Sequence, residues 1–188
     1  MLNLALGWMS PKSSRWMREH TGKLPGAFIT VEKKPVVRLL KSPMGMIGVV
    51  LFPEGPVPGK GPTSDQEQAV LQAGRELGKK AILVLGISPW GYVGERDFLP
   101  KARGIFSCLF GGGEGVALAH SLSDKYPSVL WLRPDTQGRA VNRLEIYFPP
   151  ALGESWVENT HFKASLEFLG KEFPDDPTML SIIGRPLE

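Results

Sequence analysis

Two short loops carry most of the chain's chemical possibilities. Gly86-Ile87-Ser88-Pro89-Trp90-Gly91 follows the apolar run Ala81–Leu85, and Gly111-Gly112-Gly113-Glu114-Gly115 follows Ile105–Phe110. In an open α/β sheet, ligands bind outside the carboxyl ends of the strands, which is where both loops fall. Ser88, just past a buried strand, has the position of a nucleophile elbow. The motif's second glycine is missing, however, and Pro89 has no N–H to lend to an oxyanion hole. His20, His120 and His161 have no acid placed to orient them, so a Ser/His hydrolase is not expected. The glycines of the second loop could cradle a phosphate on backbone N–H groups if a helix began over Val116–Leu122. But no Gly-Lys-Ser/Thr occurs, Leu118 stands where a dinucleotide fingerprint has its third glycine, and Glu114 would sit beside the anion. The competing account is a tight turn that needs positive φ angles.

Metal chemistry finds equally little support. Cys108 is the single cysteine and the three histidines are far apart, so no zinc-type ligand spacing exists. Glu95, Asp97 and Glu114 are the candidates for a hard-metal site, but Glu95-Arg96-Asp97 reads as the exposed first turn of a helix, where acids suit the dipole. Trp90 and Tyr92 are amphipathic side chains that could stack on a ligand or pack beneath their own loop. The ligand-binding candidates are therefore Ser88, Trp90, Glu95, Glu114 and His120, with no catalytic residue and no metal ligand assigned.

At 188 residues the chain is long enough for one domain with a sizeable core. Its net charge of +3 comes from scattered pairs such as Lys33-Lys34 and Lys79-Lys80, so no nucleic-acid partner is expected. No apolar run approaches the roughly 20 residues of a membrane helix. The first nine residues lack the basic start and small-residue cleavage pattern of a leader. A cytoplasmic location is expected for the chain as given, and a periplasmic one if a leader precedes Met1. The partner class stays open between a small molecule and a protein.

These loops need a sheet to hold them. The pattern predicts a strand at Leu2–Leu6, whose early start hints at an upstream segment, then a helix at Ser13–His20 and a strand at Gly26–Val31. Val36–Leu40 and Met46–Phe52 read as a hairpin across Ser42-Pro43-Met44-Gly45, and Pro53–Pro62 as a surface loop. Ser64 and Glu67 have capping-box spacing for a helix closed by Gly78, which leads to the strand Ala81–Leu85. This strand–helix–strand unit predicts parallel neighbours or near neighbours. A short helix at Gly94–Lys101, a strand at Ile105–Phe110 and a hairpin of Val129–Arg133 with Ala140–Phe148 follow. A helix around His161–Leu169 and a proline-containing tail close the chain. The expected fold is α/β, a mixed-sheet sandwich, with one domain over 1–150 and a helix and irregular tail over 151–188.

Read in order, the segments over Leu2–Phe148 resemble the calcineurin-like metallophosphoesterase domain of the 5'-nucleotidase family. Leu4-Ala5-Leu6-Gly7-Trp8 is similar to the strand ending in Gly-Asn-His-Glu, and Met44-Gly45-Met46-Ile47-Gly48-Val49-Val50 to the Gly-x-x-Ile-Gly-Val-Ile-Gly hairpin. Ser88-Pro89-Trp90-Gly91 is similar to the Ser-His-x-Gly loop, Gly111–Gly115 to the Gly-Gly-His-Ser/Thr-His loop, and Asp135–Tyr147 to the closing hairpin. The family's metal ligands are replaced: Trp8-Met9 stands for Asn-His, Pro89 for the Ser-His histidine, and Gly113 and Gly115 for the last two histidines. The family's first Asp-x-His segment would precede Met1.

The resemblance implies a phosphoesterase framework without its two-metal centre, and hence a non-catalytic binding or scaffolding module acting through the Trp90/Glu95 and Glu114 loops. The alternative is a hydrolase of phosphate esters or nucleotides, either divergent in mechanism through Ser88, Glu95, Asp97, Glu114 or His120, or completed by an upstream segment. No cofactor is expected, and a divalent metal only if the reading frame extends upstream.

Overall fold

A computed structural model describes residues 7–23, 28–57, 61–121, 128–135 and 139–170. The expected strand at Leu2–Leu6, the turn at 136–138 and the tail beyond 170 lie outside the described residues. The order is β1 (Gly7–Met9), α1 (Pro11–Thr21), β2 (Phe28–Thr30), β3 (Val36–Ser42), β4 (Gly45–Leu51), α2 (Ser64–Gly78) and β5 (Leu83–Ser88). Then come α3 (Gly91–Ala102), β6 (Cys108–Gly111), β7 (Leu118–Ser121), β8 (Leu130–Arg133), β9 (Ala140–Ile146) and β10 (Phe162–Phe168).

The fold is α/β. Its main sheet has six strands in the order β3-β4-β5-β6-β8-β7. The four inner strands β4, β5, β6 and β8 are parallel, and the edge strands β3 and β7 are antiparallel to their neighbours. β4 and β5 are the parallel neighbours expected of a strand–helix–strand unit. Side chains alternate between the two faces of each strand, which produces two cores. On one face, Val50, Val84, Leu109 and Trp131 pack against Val70, Leu71 and Leu77 of α2 and Phe98 and Leu99 of α3. On the other, Ile47, Val49, Leu83, Cys108, Leu130 and Leu132 pack against Trp156, Phe162, Leu144 and Ile146. The result is a layer of helices, a mixed sheet, and a second layer made by the antiparallel pair β9–β10. β1 and β2 form a separate parallel pair.

Several expectations are corrected here. The segment expected as a helix at His161–Leu169 is the strand β10. Phe162, Leu166 and Leu169 have helical spacing, but Phe162, Ala164, Leu166 and Phe168 alternate strictly with Lys163, Ser165 and Glu167. That period of two wins because β9 offers a seven-residue antiparallel ladder. The described part of 151–188 is thus not a separate helix and tail: Trp156 and Phe162 lie in the core of the main domain. β8 and β9 do not pair as a hairpin either. β8 is drawn into the main sheet between β6 and β7, and β9 crosses to the second layer. The described part of the segment 116–122 gives the strand β7 and no helix. The capping box belongs to Thr63 and Gln66, one residue earlier than Ser64 and Glu67. The loop at 53–62 is not wholly at the surface, since Pro53 and Gly61 are buried.

Candidate functional site

The crevice at the carboxyl ends of the parallel strands is formed by the ends of β5, β6 and β8 and the loops that follow. β5 runs to Ser88, so this serine is a strand residue facing inward and not a loop nucleophile. It is buried, and its Oγ accepts a hydrogen bond from the Trp90 backbone N–H at 3.1 Å. Trp90 is 3 % exposed, packs tilted against Phe52 and edge-on to Phe98, and donates its indole N–H to the Pro53 carbonyl at 2.7 Å. Of its two possible roles, packing beneath the loop is the one observed: Trp90 is a core residue with a satisfied polar tip, and its place among the ligand-binding candidates is corrected.

Glu95 is the larger correction. α3 begins at Gly91, three residues before the expected start, which moves Glu95 from an exposed first turn to the face turned towards the sheet. The side chain is fully buried and forms an ion pair with Arg133, itself 1 % exposed at the end of β8. Oε2 also accepts the indole N–H of Trp131 at 3.0 Å, and Oε1 the backbone N–H of Gly112 at 3.1 Å. Burial pushes the Glu95 carboxyl above its ordinary pKa, while Arg133, Trp131 and Gly112 act against that shift.

Arg133 gathers the glycine loop around this pair. Its Nη2 faces the carbonyls of Gly112, Gly113 and Glu114 at 3.0, 3.1 and 3.0 Å, and its Nε donates to the Val116 carbonyl at 3.2 Å. Meanwhile the first turn of α3 donates to the same loop, Gly91 N–H to the Gly112 carbonyl at 3.1 Å and Tyr92 N–H to the Glu114 carbonyl at 2.9 Å. The condition for a phosphate cradle, a helix following the glycine loop, is not met, since a strand follows it, and the Gly112 N–H is engaged by Glu95. The positive φ angles of Gly113 and Gly115 agree with the competing account of a tight turn, and the loop's carbonyls face a guanidinium.

The glycines have steric reasons as well. A side chain at Gly111 would collide with Glu95 and Arg133. Gly113 has φ +72°, and a Cβ there would stand 2.8 Å from the Pro89 carbonyl oxygen; Gly115 has φ +129° and lies against Tyr92. The two loops are therefore closed on each other. Glu114 is exposed, and only its backbone takes part in the network. Asp97 is an exposed partner of Arg96 at 3.0 Å. His120 lies in β7, with its side chain outside the described residues. The structure thus joins Ser88, Trp90, Glu95 and the Glu114 backbone in one locality, chiefly as scaffold.

Beside the closed loops is a cavity of about 410 Å³, on the side of the sheet that β9 covers. Ile87, Phe110, Gly112, Pro134, Val141 and Asn142 are among its lining residues. Arg133, Trp131 and Asn142 were not singled out from the sequence. The signal for Arg133 was present: it continues the alternation of Trp131 towards the helix layer, and a cation at an inward register position requires a buried acid.

The residues that the sequence resemblance sets against metal ligands do not fit a two-metal centre. Pro89, Gly113 and Gly115 offer no side-chain donor, and the nearby carboxylate is engaged by Arg133, Trp131 and Gly112. Among the described residues, no three His, Cys, Asp or Glu side chains are grouped as a metal would need. Also among the described residues, no helix is long and apolar enough to cross a membrane.

No protein-family model matches the chain. No curated protein matches it either. Among solved structures it is similar to a hypothetical protein from Thermus thermophilus, at 10 % identity and a TM-score of 0.50, over 88 % of this chain and 77 % of that one. That likeness supports the α/β fold and carries no function.

Proposed function

We propose that the chain is a non-catalytic binding module on a metallophosphoesterase-like framework, with its ligand seat in the cleft at the carboxyl ends of β5 and β6. The closure at Gly113 and Gly115 is the observation that supports this most. At both positions the backbone is in a conformation side chains resist, and neighbouring atoms of Pro89 and Tyr92 occupy the space a ligating side chain would need. The polar groups beside the cleft are engaged with one another: the Arg133 guanidinium, the Glu95 carboxylate and the first N–H groups of α3. Such a network holds the loops in place but gives neither a free base nor an open anion site. A preformed, mostly apolar cavity beside rigid loops suits binding.

The test pairs elemental analysis of the purified protein with hydrolysis assays on AMP and p-nitrophenyl phosphate in added Mn²⁺ or Zn²⁺. Substoichiometric metal and no metal-dependent turnover are expected. Stoichiometric Mn or Zn together with turnover would overturn the proposal.

A further inference from the structure

We infer that the outer edge of β3 is a docking site for an extended acidic peptide, which joins the main sheet as a further strand and sets its carboxylates beside Arg38, Lys41, Lys33 and Lys34. No residue of β3 lines the cavity at the ends of β5 and β6, so the two surfaces are separate.

The register of the hairpin leaves this edge open. Only Pro43 and Met44 separate β3 from β4, so Ser42 and Gly45 form a pair that exchanges hydrogen bonds, and the pairing alternates from there. Leu40, Arg38 and Val36 therefore turn their backbone groups to β4, whereas Val37, Leu39 and Lys41 turn theirs outward. β4 obeys the same alternation: the carbonyl of Met46, opposite Lys41, accepts the Ile82 N–H at 2.9 Å on the far side. β3 ends the six-stranded sheet, and among the described residues no backbone group pairs with its outward side. The Val37 carbonyl accepts from the neighbouring Arg38 guanidinium at 2.9 Å.

Sheet edges are commonly short, bulged or covered, and the opposite edge follows that rule: β7 has four residues and a register shift against β8. β3 keeps an unbroken register over seven residues. Its Val37 and Leu39 face the helix layer, opposite Val50 and Gly48, and remain 44 % and 40 % exposed. A strand added here pairs its backbone with these residues and lays alternate apolar side chains beside theirs, as in other cases of strand addition.

Charge selects the partner. Lys33, Lys34, Arg38 and Lys41 are exposed, and among the described residues none of them is ion-paired. The first 52 residues of the chain hold eight Lys and Arg against two acids, whereas the remainder holds 14 against 17. The excess of cations is thus gathered in the part that contains β3. A second copy of the chain would set these cations against their own kind, which opposes self-pairing. A carboxylate-bearing peptide is attracted instead, and a carboxylate opposite Arg38 draws the guanidinium off the Val37 carbonyl.

The probes are capped peptides of seven residues, the length of β3, titrated into the full chain by calorimetry and followed by amide hydrogen exchange in NMR. Alternating glutamate and valine is expected to bind, more weakly as salt rises, and to slow exchange at Val37, Leu39 and Lys41 but not at Arg38 and Leu40, which β4 already protects. Proline in place of the central valine removes one backbone donor, and affinity should fall on the order of tenfold. A lysine/valine peptide should show no measurable binding. In Arg38→Glu/Lys41→Glu the lysine/valine peptide should bind and the glutamate/valine peptide should not. Absence of binding by the glutamate/valine peptide, equal affinity for its proline form, or unchanged exchange at the three amides would each overturn the inference. So would a dimer in which those amides are protected without peptide, since a second copy then occupies the edge. If the variant does not fold, the proline form and the exchange pattern on the unmodified chain still decide.

Discussion

At the residue scale, the Glu95–Arg133 pair combines a cost with a necessity. Moving both charges out of water is expensive, and the raised pKa of Glu95 reflects that desolvation. Yet removing one partner leaves the other buried and uncompensated. Glu95→Gln and Arg133→Met should each destabilise the fold by about 3–5 kcal/mol, measured by urea unfolding. The double variant Glu95→Leu/Arg133→Met should lose less than the sum of its parts, because neither charge is stranded. It should not regain full stability, since the carbonyls of Gly112, Gly113 and Glu114 lose their donor. Glu95 also sets a pH dependence. Its folded pKa lies above the unfolded one, so the folded state binds more protons between the two values, and stability falls as pH rises through that window. The fall should be present in the unmodified chain and absent in Glu95→Gln. A parallel pH profile in both would remove Glu95 as its source.

At the scale of elements, β10 shows how one short segment decides between two periods. Read at positions 162, 166 and 169 it is a helix; read at 162, 164, 166 and 168 it is a strand. β9 resolves this by offering partners from Ala140 to Ile146, and the large core face beneath rewards the side chains turned towards it. Phe162 is fully buried there and meets Trp156 edge-on at 5.7 Å. Phe162→Ala should cost about 3–5 kcal/mol, whereas Lys163→Ala, on the outer side of the same strand, should change stability by less than about 0.5 kcal/mol. Equal effects at the two positions would contradict this facing. The start of α3 teaches a related lesson. With no side-chain cap, its first N–H groups find acceptors in a loop more than twenty residues away, which no local capping pattern announces.

At the scale of the whole molecule, the two cores share the same parallel strands, so removing either layer bares one apolar face of the sheet that the other layer also packs on. Unfolding should therefore be a single transition. Trp90 and Trp131 lie in the helix-side core and Trp156 in the opposite one. Tryptophan fluorescence and far-ultraviolet circular dichroism should therefore report the same midpoint. Two separated midpoints would mean that β9–β10 unfolds apart from the main sheet.

The sequence by itself determined the α/β class, the β3–β4 hairpin, the helix after Ser64, the parallel strand–helix–strand unit and the two glycine-bearing loops as the ends of inner strands. These follow from local pattern: apolar runs, turn residues and chain-order rules act over a few residues and need no partner elsewhere. Only the tertiary structure decided that Trp90 and Glu95 face inward, that β8 and β9 part into different layers, and that Arg133 locks the glycine loop. Each of these depends on a partner distant in sequence, such as Arg133 for Glu95, 38 residues away. Burial and charge pairing are properties of neighbours in space, and spacing along the chain does not encode them.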